Sequence, residues 1–320
     1  MHKRPLFRGG PEVGEIGLSL SSPPSASQPV RRLAVIAPES NDPSESGEDA
    51  AAATIRAALD AGVSLIDTDW ITANGHAQEM LGRALADVPR ESVIITSKAG
   101  PRLAFHGELV IDNSRANLMN QCHDSLFRLK TERIDIYQVH WPDDTSPLQT
   151  ARGLQDIVAG NYASWVGACN YSVPQLEALA GHVPLQTVQA PLNMLNRRAL
   201  NDVLPWCVER GVGFIAADPL LSGLLTGRFT GNEEFTDEDR DEYFEQPRLR
   251  HAVALSRELA DLGDPGLLAV GWVLAQEGVA CVLCPLGEPG EFEKLAAAAA
   301  LDVETLRRVE QLVGDHGFAT

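Results

Sequence analysis

The sequence predicts an α/β fold, a (β/α)8 TIM barrel. Three observations predict it. Short apolar runs alternate with longer amphipathic ones along most of the 320 residues, the mark of parallel βα units. Eight such runs can be counted, the number that closes a barrel in a chain of about 300 residues. No Gly-rich dinucleotide turn follows the first run, which speaks against an open doubly wound sheet.

Taken in order, IGLSL (16–20) reads as the first strand. It is followed by the Pro/Ser-rich SSPPSASQP (21–29), by RRLAVIAP (31–38) and by the polar PESNDPSESGED (38–49). These read as two loops around a short strand, with the first helix beginning near Glu48. The expectation is one barrel domain over 1–320 with an irregular N-terminal segment over about 1–47. The remaining strands are VSLID (63–67), SVIITSK (92–98), RIDIYQVH (133–140), WVGACN (165–170), LQTVQA (185–190), VGFIAA (212–217) and VACVLC (279–284). Between them, segments such as DAAAATIRAALDAG (49–62) and SRANLMNQCHDSLFRLK (114–130) carry apolar residues every three to four positions, the helical period.

Composition narrows the function. Hydrophobic residues make up 44% and charged residues 22%, a globular balance. The net charge of −18 argues against nucleic acid or an anionic membrane as partner, since both call for a basic footprint. The partner expected is a small-molecule substrate, and nothing in the sequence sets an oligomeric state. No signal peptide and no membrane span are visible. Five scattered cysteines read as reduced, in a cytoplasmic protein. Cys281 and Cys284 form a lone CxxC, read as a strand end rather than a metal site, and no metal is expected. The acidic run NEEFTDEDRDEYFEQ (232–246) reads as a solvated loop.

Polar residues end several strands: Asp67, Lys98, His140, Asn170 and Gln189. In a barrel these ends converge on one mouth, where active sites lie. Singly, Asp67 could cap a helix, Lys98 could be solvated and His140 could be a satisfied buried histidine. Five at successive strand ends are harder to dismiss. Trp70, His76 and Trp141 are candidate pocket residues, although Trp70 and His76 could equally be loop packing.

At these residues the sequence resembles the aldo-keto reductase family. LDAGVSLIDT with NGHAQEMLGRAL is similar to the segment around the family's catalytic aspartate, SVIITSK to the strand of its lysine, and DSLFRLKTERIDIYQVHWPD to the helix and strand of its histidine. WVGACNYS and TVQAPLNMLNRR resemble the strands that hold the nicotinamide carboxamide. PLLSGLLTGRF resembles the loop over the pyrophosphate, and LAVGWVLAQEGV the helix before the last strand. The resemblance implies NADPH-dependent carbonyl reduction, with a tyrosine phenol giving the proton. By the same resemblance Asp67, Lys98 and His140 are three of the four catalytic residues. Asn170, Gln189, Ser222, Gly223 and Leu224 are the cofactor contacts that persist.

The fourth residue, the tyrosine, corresponds to Thr72. An aliphatic hydroxyl is a far weaker acid than a phenol of pKa near 10. General acid catalysis is worth about 10²–10⁴-fold, so losing the donor should cost about 3–5 kcal/mol of barrier. Tyr137 and Tyr171 do not sit at the required position. The residue that often stacks on the nicotinamide is Ala217, and the phosphate-contacting serine after it is Asp218. The carboxamide serine is Cys169, the arginine that grips the 2′-phosphate is Gly287 with Glu288 beside it, and an asparagine on the following helix is Leu295. Phosphate recognition ordinarily uses Arg, Lys or helix N-termini.

Three readings follow. Asp67, Lys98 and His140 form an acid/base pocket for redox-neutral chemistry (elimination, isomerisation or cyclisation), with no dinucleotide. Alternatively the protein is a divergent reductase in which His140 gives the proton and NAD is favoured over NADP. The third is a non-catalytic binding or regulatory subunit.

Overall fold

A computed structural model describes residues 1–21, 45–104, 108–232, 246–287, 290–298 and 301–316. The strand expected over 31–38, Glu288 and all but the end residues of the acidic run 232–246 lie outside them. Eight parallel strands form a closed barrel: β1 Ile16–Ser19, β2 Leu65–Asp67, β3 Ile94–Ala99, β4 Ile134–Val139, β5 Ala163–Cys169, β6 Thr187–Pro191, β7 Gly213–Ala217 and β8 Val279–Pro285. Each pairs with its neighbour in sequence, and β8 closes on β1 with Val282 opposite Ile16 and Pro285 opposite Ser19. The (β/α)8 expectation is met. The eight strands fall on the eight apolar runs, and Cys281 and Cys284 are free thiols buried in β8.

Helices cover the outside. They include α1 Glu45–Asp60, α2 His76–Ala84, α3 Arg115–Leu129, α4 Pro147–Ala159, α5 Val173–Ala180 and α6 Val203–Arg210. On the C-terminal side follow α7 Gln246–Ala260, α8 Pro265–Leu274, α9 Glu291–Ala298 and α10 Val303–Asp315. Local chemistry sets their ends. The Ser114 hydroxyl accepts the Asn117 N–H at the start of α3, and Asp264 and Asp302 do the same for α8 and α10. Helix α1 starts at Glu45, three residues before the expected Glu48. No helix among the described residues is long and apolar enough to cross a membrane.

The first residues are more regular than expected. Lys3–Pro5 and Glu12–Gly14 form an antiparallel hairpin that plugs the barrel floor. Its Leu6 and Val13 pack on Leu65, Ile136, Ile215, Cys281 and Leu283 inside the barrel. The carbonyl of Leu6 comes so near β7 that a Cβ on Gly213 would lie 1.8 Å from it, so only glycine fits there.

Strand periodicity explains what lies above this floor. Side chains alternate in and out, so every second residue faces inward. Stepping two residues from Leu65 reaches Asp67, and two from Ile136 reaches Gln138, with His140 two further. The same step runs from Ile94 to Thr96 and Lys98, from Thr187 to Gln189, and from Gly17 to Ser19 and Ser21. The interior is therefore apolar at the bottom and polar at the mouth. Asp135, facing outward on β4, accepts the Ile95 N–H at 2.8 Å and pairs with Arg90 at 2.6 Å, locking β3 to β4. Gln121 of α3 bonds Gly100 N and Pro101 O, fixing the chain just past Lys98.

Candidate functional site

Asp67 and Lys98 meet at the centre of the mouth, Nζ to Oδ1 at 2.5 Å, with side chains 0% and 1% exposed. The Thr96 hydroxyl donates to the same oxygen. Gln189 Nε2 and the Ser19 hydroxyl lie 3.4 and 3.5 Å from Oδ2. The ammonium also donates to Ser21 Oγ at 3.1 Å and to the Thr68 carbonyl at 3.4 Å. Burial pulls the Lys98 pKa down most strongly. The pairing of Lys98 with Asp67 leads the effects that outweigh this, and the net shift is upward. The ammonium is thus held charged, which removes Lys98 as a neutral base or Schiff-base nucleophile.

His140 follows β4 and is 7% exposed. Its N–H is anchored to the Ala99 carbonyl, and its ring stacks on Trp141 with centroids 3.6 Å apart. Its Nδ1 is buried without a hydrogen-bond partner. Burial, and then the Lys98 charge, hold its pKa well below the usual 6.5, so the imidazole is neutral at neutral pH. Cys169 donates to Gln138 Oε1 at 3.1 Å, and burial pushes its thiol pKa up. Asn170, left-handed at φ 60°, donates through Nδ2 to the His140 carbonyl at 3.0 Å.

Thr72 is buried behind β2. Its N–H donates to Asp69 Oδ1 at 2.8 Å, and its side chain bonds the same carboxylate. Burial raises the Asp69 pKa, while Lys98 and Thr72 partly offset the rise. Trp70 is buried and pinned by its Nε1–H to the Pro101 carbonyl at 2.8 Å. His76 opens α2 near the surface, its side chain 43% exposed and 3.9 Å from Glu79, and it is not drawn into the buried cluster. Tyr137 faces α3, with Cys122 and Ser125 around its phenol. Tyr171 OH sits 3.4 Å from Asn113 Nδ2. No described tyrosine bonds Lys98.

Sequence reasoning missed Thr96, Gln138, Ser19, Ser21 and Asp69. A signal for the first four was present: counting back in twos from Lys98 and His140, and on in twos from Gly17, reaches all of them. Asp69 had a weaker one, a second carboxylate two residues past a strand-end aspartate.

The family model described as Aldo/keto reductase family matches residues 39–313. This chain belongs to the aldo/keto reductase family. The curated relative Aldo-keto reductase YhdN of Bacillus subtilis (strain 168) is 32% identical over 254 residues, 76% of either chain. L-glyceraldehyde 3-phosphate reductase of Escherichia coli O157:H7 is 27% identical over 292 residues, 82% of this chain and 83% of that one. Among solved structures, glycerol dehydrogenase from Gluconobacter oxydans superposes with a TM-score of 0.84 at 27% identity, covering 99% of this chain and 97% of that one.

The family's dinucleotide fits this mouth unevenly. At the pyrophosphate loop Leu221, Ser222 and Gly223 are all left-handed, φ 48°, 51° and 89°. The Arg228 guanidinium lies over them, donating to the Ser222 carbonyl at 3.2 Å, and favours an anion. The Ser222 N–H, however, is taken by the Asp218 carboxylate at 2.8 Å. Leu224 is fully buried, its N–H bonded to the Leu221 carbonyl and its own carbonyl to the Ser256 hydroxyl. At the 2′-phosphate position Gly287 packs against the Glu291 carboxylate, so close that a Cβ would overlap Oε2. Two carboxylates thus stand at the two phosphate positions, where like charge repels. Among the described residues, Asp218 and Glu291 disfavour a phosphate at these positions and Arg228 favours one.

Proposed function

We propose that this aldo/keto reductase family protein is an enzyme for a small polar hydroxy-carbonyl metabolite. On this reading it works by redox-neutral proton transfer at Asp67, Lys98 and His140. The observation that carries the reading is Thr72: its hydroxyl, at the position that resembles the family's proton donor, is hydrogen-bonded to the Asp69 carboxylate. The carboxylates at the phosphate positions support it. The names of two relatives, a glyceraldehyde 3-phosphate reductase and a glycerol dehydrogenase, bear on the substrate alone and suggest a three-carbon hydroxy compound.

The chemistry follows from the protonation states. A neutral His140 accepts the proton α to the carbonyl. The C–H electrons move into a carbon–carbon double bond, and the carbonyl oxygen becomes an enolate. The charged Lys98, held by Asp67, makes the mouth electropositive where that oxygen sits. The imidazolium, disfavoured by burial, returns its proton to the former carbonyl carbon for isomerisation, as the hydroxyl proton on the adjacent carbon moves to the enolate oxygen and a carbonyl forms there, or to a departing hydroxyl for elimination. Trp141 holds the ring in plane, and the Ala99 carbonyl fixes its backbone.

Incubation with dihydroxyacetone in D2O tests this by proton NMR. Loss of the α-proton signal in wild type, and its persistence in His140→Ala, is expected. No exchange above the buffer rate would refute the reading. A second reading, an NADH-dependent reductase with His140 as acid, is favoured by Arg228 on the left-handed loop and by the retained Asn170 and Gln189.

A further inference from the structure

Lys98 is 1% exposed, and an ammonium has three N–H donors. All three are directed to protein atoms: Asp67 Oδ1, the Thr68 carbonyl and Ser21 Oγ. The first two acceptors lie deep in the wall. Ser21 does not, being half-buried at the rim above β1. Among the described residues, Ser21 is therefore the acceptor through which a Lys98 hydrogen bond can be relayed to a molecule in the mouth.

The serine is built to face inward. Ser19 and Ser21 continue the inward register of Gly17. The Ser21 N–H donates to Ser19 Oγ at 3.2 Å, and the Ser21 carbonyl lies 3.3 Å from the same hydroxyl, so the backbone around Ser21 is tied down. Because Oγ accepts from an ammonium, its own proton is polarised and free to donate. Lys98 stays charged beside Asp67, so it cannot act as a base to make Ser21 a nucleophile. The role left is hydrogen-bond donor.

We propose that Ser21 is a catalytic residue: its hydroxyl donates to the substrate oxygen on which negative charge develops, with the Lys98 ammonium behind it. This rests on the enolisation reading above. The hydroxyl keeps its proton throughout, so no group is transferred. Ser21 takes the bonding position at the lysine that the tyrosine phenol would hold, while Thr72, the sequence match to that tyrosine, is engaged elsewhere.

The test uses full-length Ser21→Ala and Ser21→Thr with two readouts. One is deuterium exchange into dihydroxyacetone. The other is the dissociation constant of glycolate, a stable oxyanion probe, by calorimetry. Ser21→Ala should lower kcat for exchange by about 10²–10³-fold, the usual effect of one oxyanion donor. KM should stay within about twofold, because the bond strengthens only as charge develops. Glycolate binding should weaken by about tenfold, and Ser21→Thr, which keeps a hydroxyl, should recover kcat to within about tenfold and glycolate binding to within about twofold of wild type. An unchanged kcat, or glycolate binding indifferent to Ser21, overturns the assignment. Glycolate binding that depends on Ser21, in a wild type that shows no exchange, sinks enolisation and leaves the Ser21 oxyanion site standing.

Discussion

The floor of the mouth and its rim are built differently. On the floor, Asp67 and Lys98 remain paired at 2.5 Å, with Thr96, Gln189 and Ser19 completing the shell around the carboxylate. At the rim, Asp218 holds the Ser222 N–H and Glu291 lies against Gly287. The difference lies in how replaceable each part is. A buried ion pair cannot lose one member cheaply, since the other is left charged in a low dielectric. Half-exposed rim positions exchange side chains with little effect on folding. The ion pair on its own is thus weak testimony to function, because folding alone would preserve it. His140, with an unpartnered Nδ1 and a depressed pKa, has no comparable structural reason to persist.

The comparison can be broken at several points. The largest effect is expected at Lys98→Met, which strands Asp67. It should abolish exchange and lower stability by about 3–5 kcal/mol, read from urea unfolding. Adding Asp67→Asn should recover much of that stability and none of the activity. Recovery of activity would show that the pair serves only folding. Next, His140→Ala should lower exchange by about 10²–10⁴-fold with the urea midpoint little changed. A large loss of stability there would make His140 structural.

A third effect concerns pH. The base form of His140 exists above its folded pKa, which burial and Lys98 hold well below 6.5. The exchange rate should therefore stay level as pH falls through 6.5 and drop only in more acidic buffer. A midpoint at 6.5 or above would mean that His140 is solvated or is not the base. At the rim, Asp218→Ser combined with Gly287→Arg should raise NADPH affinity above that of wild type, seen by fluorescence titration. Glu291 meets the new side chain with the far end of a flexible chain and can pair with it. The smallest effect is expected from Thr72→Tyr. With the rim unchanged, it should not restore ketone reduction, and NADPH-dependent turnover by that variant would show that the rim carboxylates matter little.

Much of this was legible in the sequence. The strands fell where apolar runs lay, because parallel strands are buried on both faces and read as continuous apolar stretches. Asp67, Lys98 and His140 were visible because strand ends converge. The hairpin at residues 3–14 was not, since its strands are three residues each and derive their order from the barrel floor. Ser21 escaped because its partner Lys98 lies 77 positions away, and Asp69 because Thr72, three residues on, meets it just before the left-handed Ala73 and Asn74. The encounter of Glu291 with Gly287 likewise depends on how α9 returns over β8.

Proton transfer in this mouth, as proposed, needs no dinucleotide. The decisive experiment is a calorimetric titration of purified wild-type protein with NADPH and NADH. No heat of binding up to millimolar cofactor is the predicted result. A low-micromolar dissociation constant for either would contradict the account and return the site to hydride transfer.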